Sequence, residues 1–155
     1  MPEQLDSYDL RLLDALQTGD AKSLSEVAEK VSLSASQCSR RISRLKEQGY
    51  IRSQVTLLNP QALGLDVEAF ITIQLEKHDE QTTHTFNSTI NALDTILECH
   101  AITGDGDYLL KVVAPNRQAL TDFIMNQLMN LPGVSQVKTA LALSSIKSST
   151  RLPIV

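Results

Sequence analysis

Two helix-capping signatures close together constrain this chain more than any other feature. Ser23 with Glu26, and Ser34 with Gln37, each match the capping box that opens an α-helix. Apolar residues at helical spacing follow each signature, first Leu24, Val27, Ala28 and Val31, then Cys38, Ile42 and Leu45. Gly49 is typical of a residue that ends a helix. The sequence therefore predicts two short amphipathic helices joined by a tight turn.

The outer face of the second predicted helix carries hydrogen-bond donors and cations. A rotation of about 100° per residue places Ser36, Arg40, Ser43 and Arg44 opposite the apolar stripe. A helix in the major groove reads base edges with long polar side chains and contacts phosphates with cations and hydroxyls. The pattern indicates a DNA-reading helix, although a solvated helical face also carries charge.

The candidate DNA contacts fall into two groups. Ser36, Gln37 and Arg40, in the N-terminal half of the helix, suit base edges. Arg41, Arg44, Lys46 and Arg52 suit phosphates. With the capping and flanking hydroxyls, the candidate DNA-binding residues are Ser34, Ser36, Gln37, Arg40, Arg41, Ser43, Arg44, Lys46 and Arg52.

Charge is segregated along the chain. The protein has 14 basic and 18 acidic residues, a net charge of −4. Residues 33–54 carry five basic side chains and one acidic side chain, a local charge of +4, so the rest of the chain is at −8. This distribution favours one surface that faces phosphate and others that repel it.

The 155 residues, 42% of them hydrophobic, suffice for two small domains. The sequence predicts no membrane partner, since it has no apolar run of roughly 20 residues, and residues 1–9 lack the features of a signal peptide. We therefore expect the protein to be located in the cytoplasm. Cys38 and Cys99 are both predicted to be small buried hydrophobes. His78, His84 and His100 show no ligand spacing, so neither a metal nor another cofactor is expected.

A further helix is predicted over residues 6–18. A strand is predicted over residues 51–58, and it ends at Asn59 and Pro60. The second half of the chain has a different pattern, in which predicted strands and helices alternate. Strands are predicted over 67–75, 96–103, 108–113 and 134–143, with helices over 81–92 and 116–130. The order βαββαβ predicts an antiparallel sheet with two helices on one face, and the whole chain is of the α+β class.

The predicted sheet is apolar on both faces. In the strand over 96–103, Leu97, Cys99 and Ala101 are expected to face the helices, with Ile96 and Ile102 on the other side. A second copy of the sheet would cover that side, which predicts a homodimer. Alternatively, Ile96 and Ile102 lie beneath the C-terminal tail.

The segment Gly104, Asp105, Gly106, Asp107 predicts a tight turn between two strands. A hairpin turn of this kind can be purely structural, with no binding function. However, a carboxylate that faces an ammonium group, beside glycine N–H groups that meet a carboxylate, also suits a free amino acid.

Ordered motifs along nearly the whole chain carry a resemblance to a known family. They include LSASQCSRRISRLKEQGYI from Leu33, LNPQALG from Leu58, ECHAITGDGDYLLK from Glu98, LPGV from Leu131 and IKSSTRLPI from Ile146. With these motifs the chain resembles the leucine-responsive/AsnC (feast/famine) transcription regulators. The resemblance implies a winged helix-turn-helix domain over 1–50, a β-segment and linker over 51–64, and a ferredoxin-like βαββαβ regulatory (RAM) domain over 65–155.

The resemblance also implies how such a protein works. Double-stranded DNA and a small effector, usually an amino acid, are the expected partners, and genes of amino-acid or nitrogen metabolism are the expected targets. Homodimers assemble into a higher oligomer, an octamer being expected, with the effector between regulatory domains of neighbouring dimers. The implied effector-binding residues are Gly104, Asp105, Asp107, Tyr108, Thr139, Ala140, Leu141 and Ala142.

The chain departs from the family pattern at several positions. Gly106 stands where the family often has a bulky residue, which implies a more flexible turn and a wider pocket, and Ala140 and Ala142 are also small. Ala35 and Gln37 replace frequent prolines, so the operator sequence does not transfer.

Two other functions remain open from the sequence. A small enzyme would use Asp105, Asp107 and His100 as acid or base, although no activated nucleophile accompanies them. A metabolite-binding protein without DNA binding is the other alternative, and the intact Arg40, Arg41 and Arg44 count against it.

Overall fold

The computed structural model describes residues 5–19, 21 and 23–154, and it divides into two compact units. Met1–Leu57 and Lys147–Val155 form the first unit, and Leu58–Ile146 forms the second. The first unit is thus discontinuous in sequence, because the C-terminal tail joins the N-terminal helices. The sequence-based division, which placed the tail with the second domain, did not include this return of the chain.

Three α-helices build the first unit: α1 (Ser7–Thr18), α2 (Leu24–Val31) and α3 (Ala35–Glu47). Ser23 and Ser34 are the N-caps of α2 and α3, and Gly49 has a φ of 79° just beyond α3. The buried apolar residues come from all three helices: Leu12, Val27, Ala28, Val31, Cys38 and Leu45. The capped amphipathic pair predicted from the sequence is therefore confirmed.

The strand predicted over 51–58 is wrong. This segment contains no helix or strand, and the side chains of Val55, Leu57 and Leu58 are 73%, 69% and 67% exposed. A strand requires hydrogen bonds to a neighbouring strand, and the described part of this single chain supplies none there.

The C-terminal tail packs against α1 through paired polar contacts. The Gln17 amide nitrogen donates to the carbonyl oxygen of Leu152 at 2.9 Å, and its amide oxygen accepts from the Leu152 N–H at 2.9 Å. Two guanidinium nitrogens of Arg151 donate to the Asp14 carboxylate, at 2.8 Å and 3.2 Å to Oδ1. The tail is therefore a specific component of the first unit.

The second unit has the predicted βαββαβ order. Its elements are β1 (Val67–Leu75), α4 (Glu80–Asn91), β2 (Ile96–Ala101), β3 (Tyr108–Ala114), α5 (Arg117–Asn126) and β4 (Val134–Leu141). The four strands form one sheet in the order β2-β3-β1-β4, and all neighbouring pairs are antiparallel. This is the ferredoxin-like arrangement, so the expected α+β fold is confirmed.

Alternate residues of the central strands face the two helices. Ile71, Ile73 and Leu110 are fully buried there, against Phe86 of α4 and Phe123 of α5. This is the burial period of two expected for a sheet with one covered face.

Strand β2 differs from its prediction because its register shifts between Ile96 and Glu98. Ile96 pairs with Val112 and packs against the helix-side core, not on the opposite face. Leu97, which was expected to face the helices, is 54% exposed. Cys99 is exposed and free, although it was predicted to be buried, because β2 is an edge strand.

The face of the sheet opposite the helices is mixed in character. Phe70 is 39% exposed there, and it pairs with Lys111 of β3. The Lys111 ammonium lies 3.6 Å from a carboxylate oxygen of Glu68 and 3.9 Å from one of Glu98. An ion-pair cluster therefore stands where the sequence predicted a continuous apolar surface.

Candidate nucleic-acid interface and effector site

The N-terminal turn of α3 is fixed by a complete capping box. The Gln37 N–H donates to Ser34 Oγ at 3.2 Å, and the Ser34 N–H donates to Gln37 Oε1 at 3.0 Å. The Ser34 and Ser36 hydroxyls are 3.0 Å apart. Gln37 thus uses its amide oxygen for the cap, which leaves its NH₂ group as the donor for a base edge.

The outer face of α3 presents Ser36, Arg40 and Ser43, all exposed, while Cys38 and Leu45 are buried on the inner face. The helical rotation placed four side chains on this face, and the structure exposes three of them. The fourth, Arg44, is half-buried and paired with Asp9. Arg40 makes no hydrogen bond or ion pair within the described residues. Its guanidinium is available to a ligand.

Arg41 and Arg44 have partners at the N-terminus of α1. Arg41 Nη1 lies 2.7 Å from Asp6 Oδ2 and 2.7 Å from Asp9 Oδ1. Arg44 Nη2 lies 2.6 Å from Asp9 Oδ2. Since Asp9 is buried, with 1% of its surface exposed, these pairs fix α3 against α1.

Asp6 also caps α1, because its Oδ1 accepts hydrogen bonds from the N–H groups of Tyr8 and Asp9 at 2.9 Å and 2.8 Å. The backbone N–H of Asp9, with help from the Arg41 guanidinium, lowers the pKa of Asp6 below its ordinary value. The side-chain hydrogen bonds from Arg41 to Asp6 and then to Asp9 raise the pKa of Arg41. Both groups are therefore charged at neutral pH.

A hollow of about 270 Å³ lies between Arg40, Arg41 and Arg44, here called the arginine hollow. A guanidinium binds planar or tetrahedral oxyanions through several N–H donors, so three of them around one hollow suit a phosphate group. Lys46 and Arg52 lie outside the hollow and are exposed. The electrostatics of this surface are those of an anion site.

Sequence reasoning missed three residues of this surface. Ser39 is exposed beside Arg40 on α3. Asp6 and Asp9 hold the arginines, and their spacing at the start of α1 is itself a capping-box signature. That signature predicts the helix start, but it does not reveal that both carboxylates reach α3.

The turn at Gly104–Asp107 is tied to the end of β1. Asp107 Oδ2 accepts a hydrogen bond from the Leu75 N–H at 2.7 Å, and the Asp107 N–H donates to the Ile73 carbonyl at 2.9 Å. Asp107 Oδ1 lies 3.6 Å from His78 Nε2. Asp105 is exposed at the tip. Of the two carboxylates, Asp105 is therefore the one turned to solvent.

Gly106 is buried beneath this turn, in contrast to the open position implied by the resemblance. A Cβ at residue 106 would lie 2.2 Å from Thr72 Cγ2. Since a non-bonded contact of that length is a collision, the absence of a side chain lets the turn lie directly on β1. A close fit, not spare room, accounts for this glycine.

The two parts of the predicted effector site are separate within one chain. Tyr108 pairs with Ile73, while Ala140 pairs with Phe70 on the other side of β1. This places them about 10 Å apart along the strands and about 10 Å across them. The residues of β4, Thr139, Ala140 and Leu141, with Ala142 just beyond, are therefore separated from the turn of the same chain by strand β1.

The Tyr108 side chain lies on the helix side of the sheet. Its ring lies 4.5 Å from that of Phe86, measured between centroids, with an angle of 34° between the ring planes. His100 is elsewhere: its Nε2 lies 3.1 Å from Glu98 Oε2. No cluster of three or more metal-ligating side chains occurs in the described part of the chain, and no described helix is long and apolar enough to cross a membrane.

Comparison with known proteins finds a matching domain in each part of the chain, and the second match extends into the tail that packs in the first unit. A model of the Lrp/AsnC ligand binding domain matches residues 68–152, and a model of a winged helix-turn-helix DNA-binding domain matches residues 5–52. The leucine-responsive regulatory protein of Klebsiella pneumoniae is 36% identical over 152 residues, which are 98% of this chain and 93% of that protein. The leucine-responsive regulatory protein of Escherichia coli K12 is 35% identical, again over 98% of this chain and 93% of that protein.

Solved structures of similar proteins extend this agreement to the fold. A transcriptional regulator of Neisseria meningitidis, in complex with L-methionine, has a TM-score of 0.92 and 31% identity over 97% of each chain. An AsnC family regulator from Agrobacterium tumefaciens has a TM-score of 0.89 and 32% identity, over 96% of this chain and 97% of that one. These relatives are named as transcriptional regulators and not as enzymes, which overturns the enzyme alternative. The chain belongs to the Lrp/AsnC family of transcriptional regulators, in which a helix-turn-helix DNA-binding domain is joined to an amino-acid-binding domain.

Proposed function

We propose that this regulator recognises double-stranded DNA of defined sequence through the outer face of α3. The observation that carries the proposal is the exposed Arg40 guanidinium beside the arginine hollow, at the centre of the helical face that enters the major groove. Ser36, Gln37 and Arg40 contact base edges, because they are exposed near the helix N-terminus. The proposed phosphate contacts are Ser34, Arg41, Ser43, Arg44, Lys46 and Arg52.

Binding to DNA from around the protein's own gene tests this proposal. We expect a protected footprint in the presence of competitor DNA, and an affinity that falls steeply as salt rises. Arg40→Ala is expected to lose about 1–3 kcal/mol of discrimination between this site and random DNA.

Arg117→Ala is the matched control, because it removes an exposed cation from α5 in the second unit. An equal loss on random DNA in Arg40→Ala would make Arg40 a phosphate contact. A wild-type protein with no preference over competitor DNA would overturn sequence-specific recognition.

We further propose that the second unit binds a free amino acid at a site completed by another subunit. The separation of the Gly104–Tyr108 segment from Thr139–Ala142 within one chain supports a site shared between chains. The exposed Asp105 carboxylate suits the ammonium group, since Asp107 Oδ2 is already hydrogen-bonded to Leu75. The N. meningitidis relative with L-methionine supports an apolar amino acid as the ligand.

Calorimetric titration with single amino acids tests the effector proposal. We expect one or a few apolar amino acids to bind, and Asp105→Asn to weaken binding about tenfold or more, because a charged hydrogen bond is lost. Asp66→Asn removes an exposed carboxylate elsewhere in the same unit and serves as the control. Absence of binding across the panel would refute the proposal.

We propose that the protein is a cytoplasmic homodimer that assembles into a higher oligomer, with an octamer as the expected state, and that it controls genes of amino-acid or nitrogen metabolism. The exposed Val55, Leu57 and Leu58, which have no strand partner within the chain, support an interface between copies. Sedimentation analysis at micromolar protein is expected to give a multiple of the dimer mass. A monomer would contradict the assembly.

A further inference from the structure

Arg41 is shared between two carboxylates that differ in exposure. Its Nη1 lies 2.7 Å from an oxygen of each, but the Asp9 side chain is 1% exposed and the Asp6 side chain is 47% exposed. Asp9 also holds Arg44 with its second oxygen, at 2.6 Å. The buried pair is therefore part of the scaffold, whereas the Asp6 pair is open to solvent.

The same guanidinium lines the arginine hollow with Arg40 and Arg44. Carboxylate and phosphate oxygens bind a guanidinium with the same fork geometry and the same charge attraction. Only Nη1 of Arg41 contacts the carboxylates, so a phosphate in the hollow and the Asp6 carboxylate compete for the one positive charge of this guanidinium. The negative charge of Asp6 also opposes the approach of a phosphate.

We propose that Asp6 sets the DNA affinity of this protein: its carboxylate occupies Arg41 in the DNA-free state, and a backbone phosphate displaces it when α3 docks. This inference rests on the proposed DNA binding. Because the displacement accompanies every docking event, Asp6 weakens binding to all sequences by the same factor. The base contacts of Arg40 then account for the remaining preference among sequences.

Asp6→Asn tests this role without removing the helix cap. Asparagine is as good an N-cap residue as aspartate, so its side-chain oxygen still accepts from the N–H groups of Tyr8 and Asp9. Titrations would use a 20-bp random duplex and the footprinted duplex, each over a series of salt concentrations. We expect binding to both duplexes to tighten by about twofold to fivefold, the range of an exposed ion pair.

The salt dependence gives an independent result. A carboxylate released from Arg41 recovers a cation, which offsets a cation released from the DNA. Removal of that carboxylate is therefore expected to steepen the slope of log affinity against log salt by up to about 0.9. Asp66→Asn, in the second unit, changes the net charge equally and is expected to leave both affinity and slope unchanged.

Arg41→Gln completes the test. In that background Asp6→Asn is expected to tighten binding clearly less than in the wild type, because the contact between the two residues is already lost and only the direct repulsion between Asp6 and phosphate remains. A folded Asp6→Asn protein with unchanged or weaker binding would overturn the inference, as would equal tightening in Asp66→Asn or in the Arg41→Gln background. A wild-type protein that binds neither duplex removes the proposed DNA binding and this inference together, whereas binding without an Asp6 effect removes only the inference.

Discussion

The two units each place an aspartate at the centre of the predicted site, and the two carboxylates have different partners. Asp9 binds two guanidinium groups, those of Arg41 and Arg44. Asp107 instead accepts from the backbone N–H of Leu75, while its own N–H donates to Ile73. A guanidinium can exchange one anion for another. A backbone donor at the end of a strand cannot leave without an unsatisfied N–H.

Because the two carboxylates have different partners, we expect the two sites to respond differently to substitution. Ion pairs of Arg41 and Arg44 hold α3 against α1, so changes to these pairs act through charge. The turn at Gly104–Asp107 is held by main-chain geometry and by its fit on Thr72, so changes there act through shape. The predictions below test this distinction, beginning with the largest expected effect.

Asp9→Ala is expected to be the most destabilising change. It removes a buried carboxylate from two guanidinium groups and from the Asp6 N–H, which donates to Asp9 Oδ2 at 3.2 Å. We expect the free energy of unfolding to fall by about 2–4 kcal/mol, at or below the range for a fully buried pair, because both arginines are partly exposed. Urea denaturation measures the loss.

Asp9→Asn is the control for this prediction, since it keeps an oxygen acceptor and removes the charge. We expect its loss to be smaller than that of Asp9→Ala. If both variants unfold at the wild-type urea concentration, the ion pairs do not fix α3 against α1.

Gly106→Ala tests the role of shape at the effector turn. The new Cβ would lie 2.2 Å from Thr72 Cγ2, so the Thr72 side chain, the turn or the strand must shift. We expect a loss of about 1–3 kcal/mol, as for other overpacked sites. Thermal unfolding in the absence of effector measures it.

Thr72→Ser provides the rescue, because serine lacks the colliding methyl group. The nearest remaining atoms are then the Ile73 carbonyl oxygen at 3.4 Å and the Cβ of residue 72 at 3.7 Å. We expect the double variant to recover most of the lost stability. Additive losses from the two changes would show that the contact with Thr72 is not the reason why residue 106 must be a glycine.

Local signals explain what the sequence predicted well. The Ser34–Gln37 capping box and the apolar spacing of α3 depend on residues three or four positions apart, and both were found as predicted. The β-rich composition of residues 67–75 likewise located strand β1 with its full length. The exposed polar face of α3 followed from the same helical geometry.

Contacts between distant residues explain what the sequence did not predict. Asp9 meets Arg41 and Arg44 across 32 and 35 positions, and Asp14 meets Arg151 across 137. The register shift that turns Ile96 inward depends on β3, not on β2 alone. The pattern at Val55 and Leu57 met the local requirement for a strand, but the required neighbour is absent from the described chain.

The smallest expected effect concerns the tail, where the ion pair of Asp14 with Arg151 is exposed on both sides. The hydrogen bonds from Arg151 lower the pKa of Asp14 below its ordinary value of 3.8. Since the folded-state pKa is the lower one, the pair stabilises the protein above about pH 4, and this contribution is lost as pH falls through the folded-state pKa. Arg151→Ala is expected to lower the unfolding temperature at pH 7 by a few degrees at most.

The pH series decides whether the ion pair or the packed backbone holds the tail. If the ion pair matters, the difference in unfolding temperature between wild type and Arg151→Ala disappears as the pH falls below the folded-state pKa of Asp14, and also in about 1 M salt. A Gln17→Ala variant removes the two hydrogen bonds to Leu152 and a longer one, 3.4 Å, to Asp14 Oδ1. Its loss is expected to depend on pH less than that of Arg151→Ala, because only the weaker contact with Asp14 involves a titrating group. A difference for Arg151→Ala that persists in acid would assign that side chain to packing, and the tail would then resemble the effector turn more than the surface of α3.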